Sequence, residues 1–138
     1  MARGKVKYLF DTHAWYWSVT EPGKLPPVAR RLLRSSAAAE PIGLSAISLW
    51  EFCKLVEKGR IEIRLPLLDW IKASIDPAFI ELVPLSPKIA AASVQLPGKF
   101  QRDPADQIIV ASARVANAVL ITKDRALRAY PHVRTIWD

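Results

Sequence analysis

The feature that most constrains the fold is a repeated alternation of short β-prone runs with longer helical segments. Leu49, Phe52, Cys53 and Val56, for example, have the spacing of an amphipathic helix, and Gly59 ends that helix. Strands that alternate with helices build parallel sheets with right-handed crossovers. The sequence therefore predicts an α/β fold with a parallel sheet of about four to five strands. We expect strands at 6–10, 41–44, 79–83, 118–122 and 133–136, and further helices at about 12–18, 27–38, 66–75, 87–96, 103–116 and 124–129.

The length and composition are those of one globular domain. The chain has 138 residues, of which 51% are hydrophobic and 24% are charged, which excludes intrinsic disorder. We find no internal repeat, low-complexity tract or linker, and therefore expect a single domain over 1–138.

Charge and cysteine content narrow the functional classes. The formal net charge of +7 favours a polyanionic partner such as nucleic acid. Cys53 is the only cysteine, so an internal disulfide and a cysteine-based zinc site are excluded. The apolar stretches are far shorter than the roughly 18–20 residues of a membrane span, and the one near the start is too short for a signal peptide. We therefore expect a cytoplasmic protein that does not contact the membrane.

Four acidic residues follow or face the carboxyl ends of the predicted strands. Asp11 directly follows the first strand, and Asp124 stands two residues past the fourth. Glu51 and Asp106 lie in the first turns of helices that begin at the same edge. Because ligand sites in open parallel sheets lie beyond the carboxyl ends of the strands, we expect these four side chains to converge on one rim.

Each acid also has a second interpretation, as a helix cap. The acids after the first and fourth strands would cap the helices that follow them. Ser48 and Glu51 have the spacing of a capping box. Asp103 suits the N-cap position of a helix in which Asp106 is the third residue. Capping accounts for each acid singly, but it does not explain why all of them are placed at one edge.

Carboxylates that converge repel one another unless a cation lies between them. Mg²⁺ takes oxygen ligands, including one or two carboxylates, and keeps several waters. Such a centre suits phosphodiester hydrolysis, because the cation activates a water and stabilises the leaving oxygen. His13 and His132 have no partner at ligand spacing, which argues against zinc.

Four segments of the chain carry a resemblance to a known family. They are LFDTHAWYW (9–17), LSAISLWEF (44–52), RDPADQIIVASA (102–113) and LITKD (120–124). In this order they resemble the successive acidic motifs of PIN-domain proteins, most of all the VapC-type toxin ribonucleases of bacterial and archaeal toxin–antitoxin systems. The resemblance covers nearly the whole chain and implies a PIN-like three-layer fold.

The resemblance also implies a site and partners. Its catalytic and metal-binding quartet would be Asp11, Glu51, Asp106 and Asp124, with Mg²⁺ or Mn²⁺ as cofactor. Thr12 and Thr122 match supporting hydroxyl positions, and Asp103 is either an extra ligand or only a helix cap. A homodimer and a cognate antitoxin, with a segment lying across the active site, are implied as well.

Basic and aromatic residues surround these motifs. As RNA-binding candidates we take Lys54, Lys58, Arg102, Lys123 and Arg125. Solvated helix faces are an equally good explanation for each basic cluster. The five tryptophans could stack on bases, although core or interface positions are the more usual explanation.

Three functions from different classes follow. The first is a metal-dependent endoribonuclease that acts as a toxin. The second is a non-catalytic RNA-binding module with a PIN-like fold, against which the intact acidic quartet argues. The third is a phosphoryl-transfer enzyme of the haloacid-dehalogenase type, which needs a second aspartate where this chain has His13. RNA target, cut-site sequence, the number of metals and the identity of the antitoxin cannot be derived from one sequence.

Overall fold

A computed structural model describes residues 6–35, 40–100 and 102–138. Its centre is a five-stranded sheet in which every pairing is parallel and the strand order is β3-β2-β1-β4-β5. The predicted parallel α/β sheet is confirmed. The strands are β1 (Tyr8–Phe10), β2 (Ile42–Ser45), β3 (Ile80–Val83), β4 (Val119–Ile121) and β5 (Thr135–Ile136).

Helices connect these strands close to the predicted positions. The first helix is longer than expected and runs to Thr20. The second is described as far as Ser35, and the remainder of its expected range, to about residue 38, lies outside the described residues. A short 3-10 helix at Pro22–Lys24 was not predicted. The α-helices are α1 (Thr12–Thr20), α2 (Pro27–Ser35), α3 (Ala46–Glu57), α4 (Leu67–Ala73), α5 (Pro87–Ser93), α6 (Pro104–Ala116) and α7 (Arg125–Ala129).

Two hydrophobic clusters lie on opposite faces of the sheet, because successive side chains of a strand point to opposite sides. Leu9 and Leu120 pack with Ile109 of α6 in one cluster. Phe10 and Ile121, the next residues of the same strands, pack with the aromatic side chains of α1 and α3 in the other. The sheet is thus the middle layer of three, as expected.

The strand order creates a switch point at β1. From this strand the sheet extends through β2 to β3 on one side and through β4 to β5 on the other. Phe10 and Ile121 are paired at the ends of β1 and β4, and the amide of Asp11 donates to the carbonyl of Ile121 at 3.1 Å. Ligand sites in open α/β sheets lie at such a switch point, beyond the carboxyl ends of the strands.

Among the residues that the structure describes, no helix is long and apolar enough to cross a membrane.

Candidate active site

A cleft of about 640 Å³ opens at the switch point, on the rim where β1 and β4 end. All four predicted quartet acids line it, together with Asp103 and Thr12. The predicted convergence of acids from four separate segments is therefore present in the structure. The basic residues that line the same cleft are Lys54, Lys58, Arg60, Arg102 and Lys123.

Asp11 is fixed at the start of α1 by both of its carboxylate oxygens. It is 8% exposed, and its Oδ1 accepts the amide of Ala14 at 2.8 Å, which is the N-cap bond of the helix. The fully buried hydroxyl of Thr122 donates to Oδ2 of Asp11 at 2.5 Å. Thr122 Oγ1 also accepts the amide of Asp124 at 3.1 Å, so one hydroxyl connects two predicted ligands.

The carboxylate of Glu51, on α3, is positioned by the hydroxyl of Thr12 from α1 and not by a capping interaction at the start of α3. Thr12 donates a hydrogen bond to Oε1 of Glu51, and Ser48 Oγ lies 3.0 Å from the same threonine hydroxyl. The N-cap of α3 is Ser45, whose Oγ accepts the amide of Ile47. The capping-box interpretation of Glu51 is therefore wrong, because Ser48 already lies inside the helix and Glu51 is on the turn that faces α1.

The closest group of carboxylates joins α3 to the start of α6. Glu51, Asp103 and Asp106 offer oxygens that all lie within 4.8 Å of one another. Asp103 is also the N-cap of α6, because its Oδ1 accepts the amide of Asp106 at 2.9 Å. The two interpretations of Asp103 are compatible, since a carboxylate that caps through one oxygen keeps a second for another partner.

Arg102 lies between two of the predicted ligands. Its Nε donates to Oδ2 of Asp106 at 2.9 Å, and its Nη2 donates to Oδ2 of Asp124 at 2.7 Å. Asp124 uses its other oxygen to cap α7, accepting the amides of Ala126 and Leu127. Arg102 was expected only as an RNA contact; its i,i+4 spacing to Asp106 was the sequence signal for this ion pair.

Burial, and to a smaller extent repulsion between carboxylates, raises the pKa of three acids of this site: Asp11, Glu51 and Asp106. The pKa of Asp11 is raised to about 6, chiefly by burial, although the bonds from Thr122 and Ala14 lower it. The pKa of Asp106 is also raised to about 6, by burial and then by the charge of Asp103, against the opposing effect of Arg102. Burial raises the pKa of Glu51 as well. A bound cation would favour the ionised form of each.

These donors fit a hard divalent cation. Every side chain in the closest group is a carboxylate, and oxygen ligands are those that Mg²⁺ and Mn²⁺ prefer. Burial is the first cause of the raised pKa of both Asp11 and Asp106, and Arg102 opposes it at Asp106.

The predicted basic residues have different positions relative to the cleft. Lys54, Lys58, Arg102 and Lys123 line it, whereas Arg125, the first residue of α7, is exposed and is not among its lining residues. Lys54 also pairs with Glu57 on the same helix, with 2.5 Å between Nζ and Oε1.

Comparisons with known proteins agree with this architecture. The PIN domain family model matches residues 8–133. Ribonuclease VapC22 of Mycobacterium tuberculosis is 36% identical over 131 residues, which cover 94% of this chain and 97% of that protein.

Solved toxin–antitoxin structures share the fold. The chain superposes on VapBC2 from Rickettsia felis, bound to a promoter DNA fragment, with a TM-score of 0.69 and 21% identity, over 95% of this chain and 98% of that chain. For DNA-bound VapBC from Salmonella typhimurium the TM-score is 0.71 and the identity 19%, over 95% and 97% of the two chains.

A parallel sheet of this order with an acidic cleft at its switch point defines an α/β domain with a candidate cation site. The chain belongs to the PIN domain family, and it is a homologue of a VapC ribonuclease.

Proposed function

We propose that this protein is a Mg²⁺- or Mn²⁺-dependent endoribonuclease and the toxin of a toxin–antitoxin pair. The observation that carries the proposal is the convergence of acids from four separate segments in one cleft with basic residues at its sides. The 36% identity to Ribonuclease VapC22 over nearly the full length of both proteins supports RNA as the substrate.

Glu51, Asp103 and Asp106 are the residues that would hold the cation most closely, with Asp11 and Asp124 completing the centre. When bound, the cation would lower the pKa of an attacking water and offset negative charge on the scissile phosphate. Asp103 is included as a ligand, in addition to its bond at the start of α6.

The chain's own residues hold this centre in place. Thr122 fixes Asp11, and Thr12 fixes Glu51, so two carboxylates are oriented by buried hydroxyls before any ligand arrives. Pre-oriented groups do not have to be ordered during the reaction, which lowers its barrier. Lys54, Lys58 and Lys123, together with Arg125 just outside the cleft, would hold the phosphates on either side.

One observation favours the alternative of a non-catalytic RNA-binding module. Arg102 already neutralises Asp106 and Asp124 by direct ion pairs, so these two acids have a partner without any cation. In the ribonuclease proposal the guanidinium releases the acids to the cation and contacts a substrate phosphate instead. An intact network around Asp11 and Glu51 has no evident use in a protein that only binds RNA.

The proposal also concerns assembly and location. We expect a homodimer, a cognate antitoxin whose segment covers the cleft, and a cytoplasmic protein whose residues 1–138 form a single PIN domain. Superposition on VapBC complexes supports an antitoxin partner.

A cleavage assay on a mixed RNA pool tests the function. The wild-type protein is expected to cut RNA with Mg²⁺ or Mn²⁺ and to stop with EDTA, and Asp11→Asn is expected to lose cleavage while keeping its fold and its RNA affinity. RNA binding without cleavage in every metal would favour the alternative, and equal cleavage by Asp11→Asn would refute the assignment of the centre.

A further inference from the structure

Trp50 differs from the other four tryptophans. Trp15 and Trp70 pack against each other in the core, and Trp17 packs against Trp137 with ring centroids 5.8 Å apart. Trp50 is 53% exposed, and within the described residues its indole has neither a ring contact nor a hydrogen-bond partner. The fold therefore has no evident structural use for this side chain.

Trp50 lies in the cleft, directly before Glu51 on α3. Lys54 follows it four positions later on the same face of the helix, and Lys58 is the C-cap residue of α3. All three line the cleft. Lys54 pairs with the exposed Glu57, and because exposed ion pairs contribute little, a phosphate can replace that partner at small cost.

Trp17, the second tryptophan that lines the cleft, already contacts other side chains. The Nζ atoms of Lys24 and Lys123 lie 5.5 and 5.9 Å from the ring centroid of Trp17. His13 and Trp137 also contact this ring. Trp17 thus serves to position Lys123 and offers little free surface to a ligand.

We propose that Trp50 is a stacking platform for an unpaired base of the RNA, next to the phosphate bound at the acidic centre. This inference rests on the proposed ribonuclease function, and it adds one residue that positions the substrate. An exposed aromatic ring within a basic groove is how proteins bind single strands, because bases stack on the ring while lysines contact the phosphates. Bases inside a duplex are stacked on one another and cannot reach the indole.

The charge of the lining residues favours a polyanion such as RNA as the ligand beside Trp50. Apart from the acidic centre, the charged residues lining the cleft are basic: Lys54, Lys58, Arg60, Arg102 and Lys123. The net charge of +7 extends this preference to the whole chain. Both features match a phosphate backbone that passes the acidic centre on its way along α3.

The test measures binding of one RNA oligonucleotide, single-stranded and annealed to its complement, in an Asp11→Asn background that does not cut. Trp50→Ala is expected to weaken single-strand binding about 5- to 100-fold and duplex binding little. Trp50→Phe, which keeps a ring, is expected to restore most of the affinity. Leu68→Ala removes another exposed apolar side chain, outside the cleft, and serves as the matched control.

An unchanged single-strand affinity in Trp50→Ala, or equal losses for the two forms of the RNA, would overturn the inference. So would a change in the oligomeric mass of Trp50→Ala with RNA affinity retained, since Trp50 would then belong to a protein interface. A wild-type protein that cuts RNA while Trp50→Ala binds normally refutes this inference alone. A wild-type protein that neither binds nor cuts RNA refutes the proposed function as well.

Discussion

Three acids of the cleft each cap a helix through one carboxylate oxygen. Asp11, Asp103 and Asp124 each cap a helix through Oδ1. For Asp11 and Asp124 the other oxygen accepts a hydrogen bond from Thr122 or Arg102. The caps fix the carboxylates at the rim, so the interactions that start the helices also orient the candidate ligands.

Thr122 offers a test of this orientation. Thr122→Val removes the hydroxyl that donates to Asp11 and accepts the amide of Asp124, at a position with no exposed surface. We expect a loss of about 1–3 kcal/mol in the free energy of unfolding and reduced cleavage, because buried polar partners are left unpaired. Urea unfolding measures the first effect. Thr20→Val, at an exposed hydroxyl that donates to the carbonyl of Tyr16, is the control, and equal effects of the two changes would contradict the role of Thr122.

The raised pKa values of Asp11 and Asp106, about 6 in both cases, predict how stability depends on pH in metal-free protein. An acid whose pKa rises on folding holds its proton more tightly in the folded state, so folding is favoured at low pH and the free energy of unfolding falls as pH rises toward the folded-state pKa. Above about pH 6 both carboxyls are ionised in the folded protein, and the free energy of unfolding is reduced by the full cost of ionising them in a buried position. A carboxylate held in an ion pair has the opposite influence, because its lowered pKa makes the free energy of unfolding increase as pH rises.

In EDTA, Asp11→Asn is therefore expected to have a higher free energy of unfolding than the wild type, and the increase should be larger at about pH 7.5 than at about pH 4.5. The increases at the two pH values should differ by on the order of 1–2 kcal/mol. Urea unfolding of both proteins at the two pH values measures it. A gain that does not depend on pH would show that Asp11 ionises as easily in the folded chain as in the unfolded one.

At the scale of elements, the sequence was sufficient to predict the strands and the edge at which the site forms. Strand–helix alternation implies a parallel sheet, and the carboxyl ends of its strands share a rim, so Asp11 and Asp124 were placed without coordinates. The capping-box alternative would begin α3 after Ser48, but two serines suit the cap and only the end of β2 decides in favour of Ser45. Contacts between distant segments, such as Arg102 with Asp124, leave no local pattern in the sequence.

Asp103, at the start of α6, allows capping and ligation to be separated. Asn caps a helix as well as Asp does but adds no charge, whereas Ala removes the cap at a cost of about 1 kcal/mol. We expect Asp103→Asn to have the melting temperature of the wild type in EDTA but a smaller rise of that temperature on adding Mn²⁺. Asp103→Ala is expected to have both a lower melting temperature in EDTA and a smaller rise with Mn²⁺. An Asp103→Asn protein that responds to Mn²⁺ like the wild type would mean that Asp103 is only a cap.

At the scale of the whole molecule, a basic chain surrounds an acidic centre. The net charge of +7 favours polyanions, while the cluster of Glu51, Asp103 and Asp106 would repel phosphates unless a cation is bound. Cation binding and RNA binding should therefore support each other. The acidic centre forms because β1 and β4 are paired at the switch point, which brings acids that are far apart in sequence to one edge of the sheet.

The most direct test of the central claim is a calorimetric titration of Mn²⁺ into the wild-type protein and Asp106→Asn at neutral pH. We expect binding by the wild type, and at least about tenfold weaker binding by the variant, because one coordinating charge is lost. Circular dichroism confirms that the variant is folded. Absence of Mn²⁺ binding by the wild type, or equal affinity of the two proteins, would contradict the claim that these acids form one cation centre.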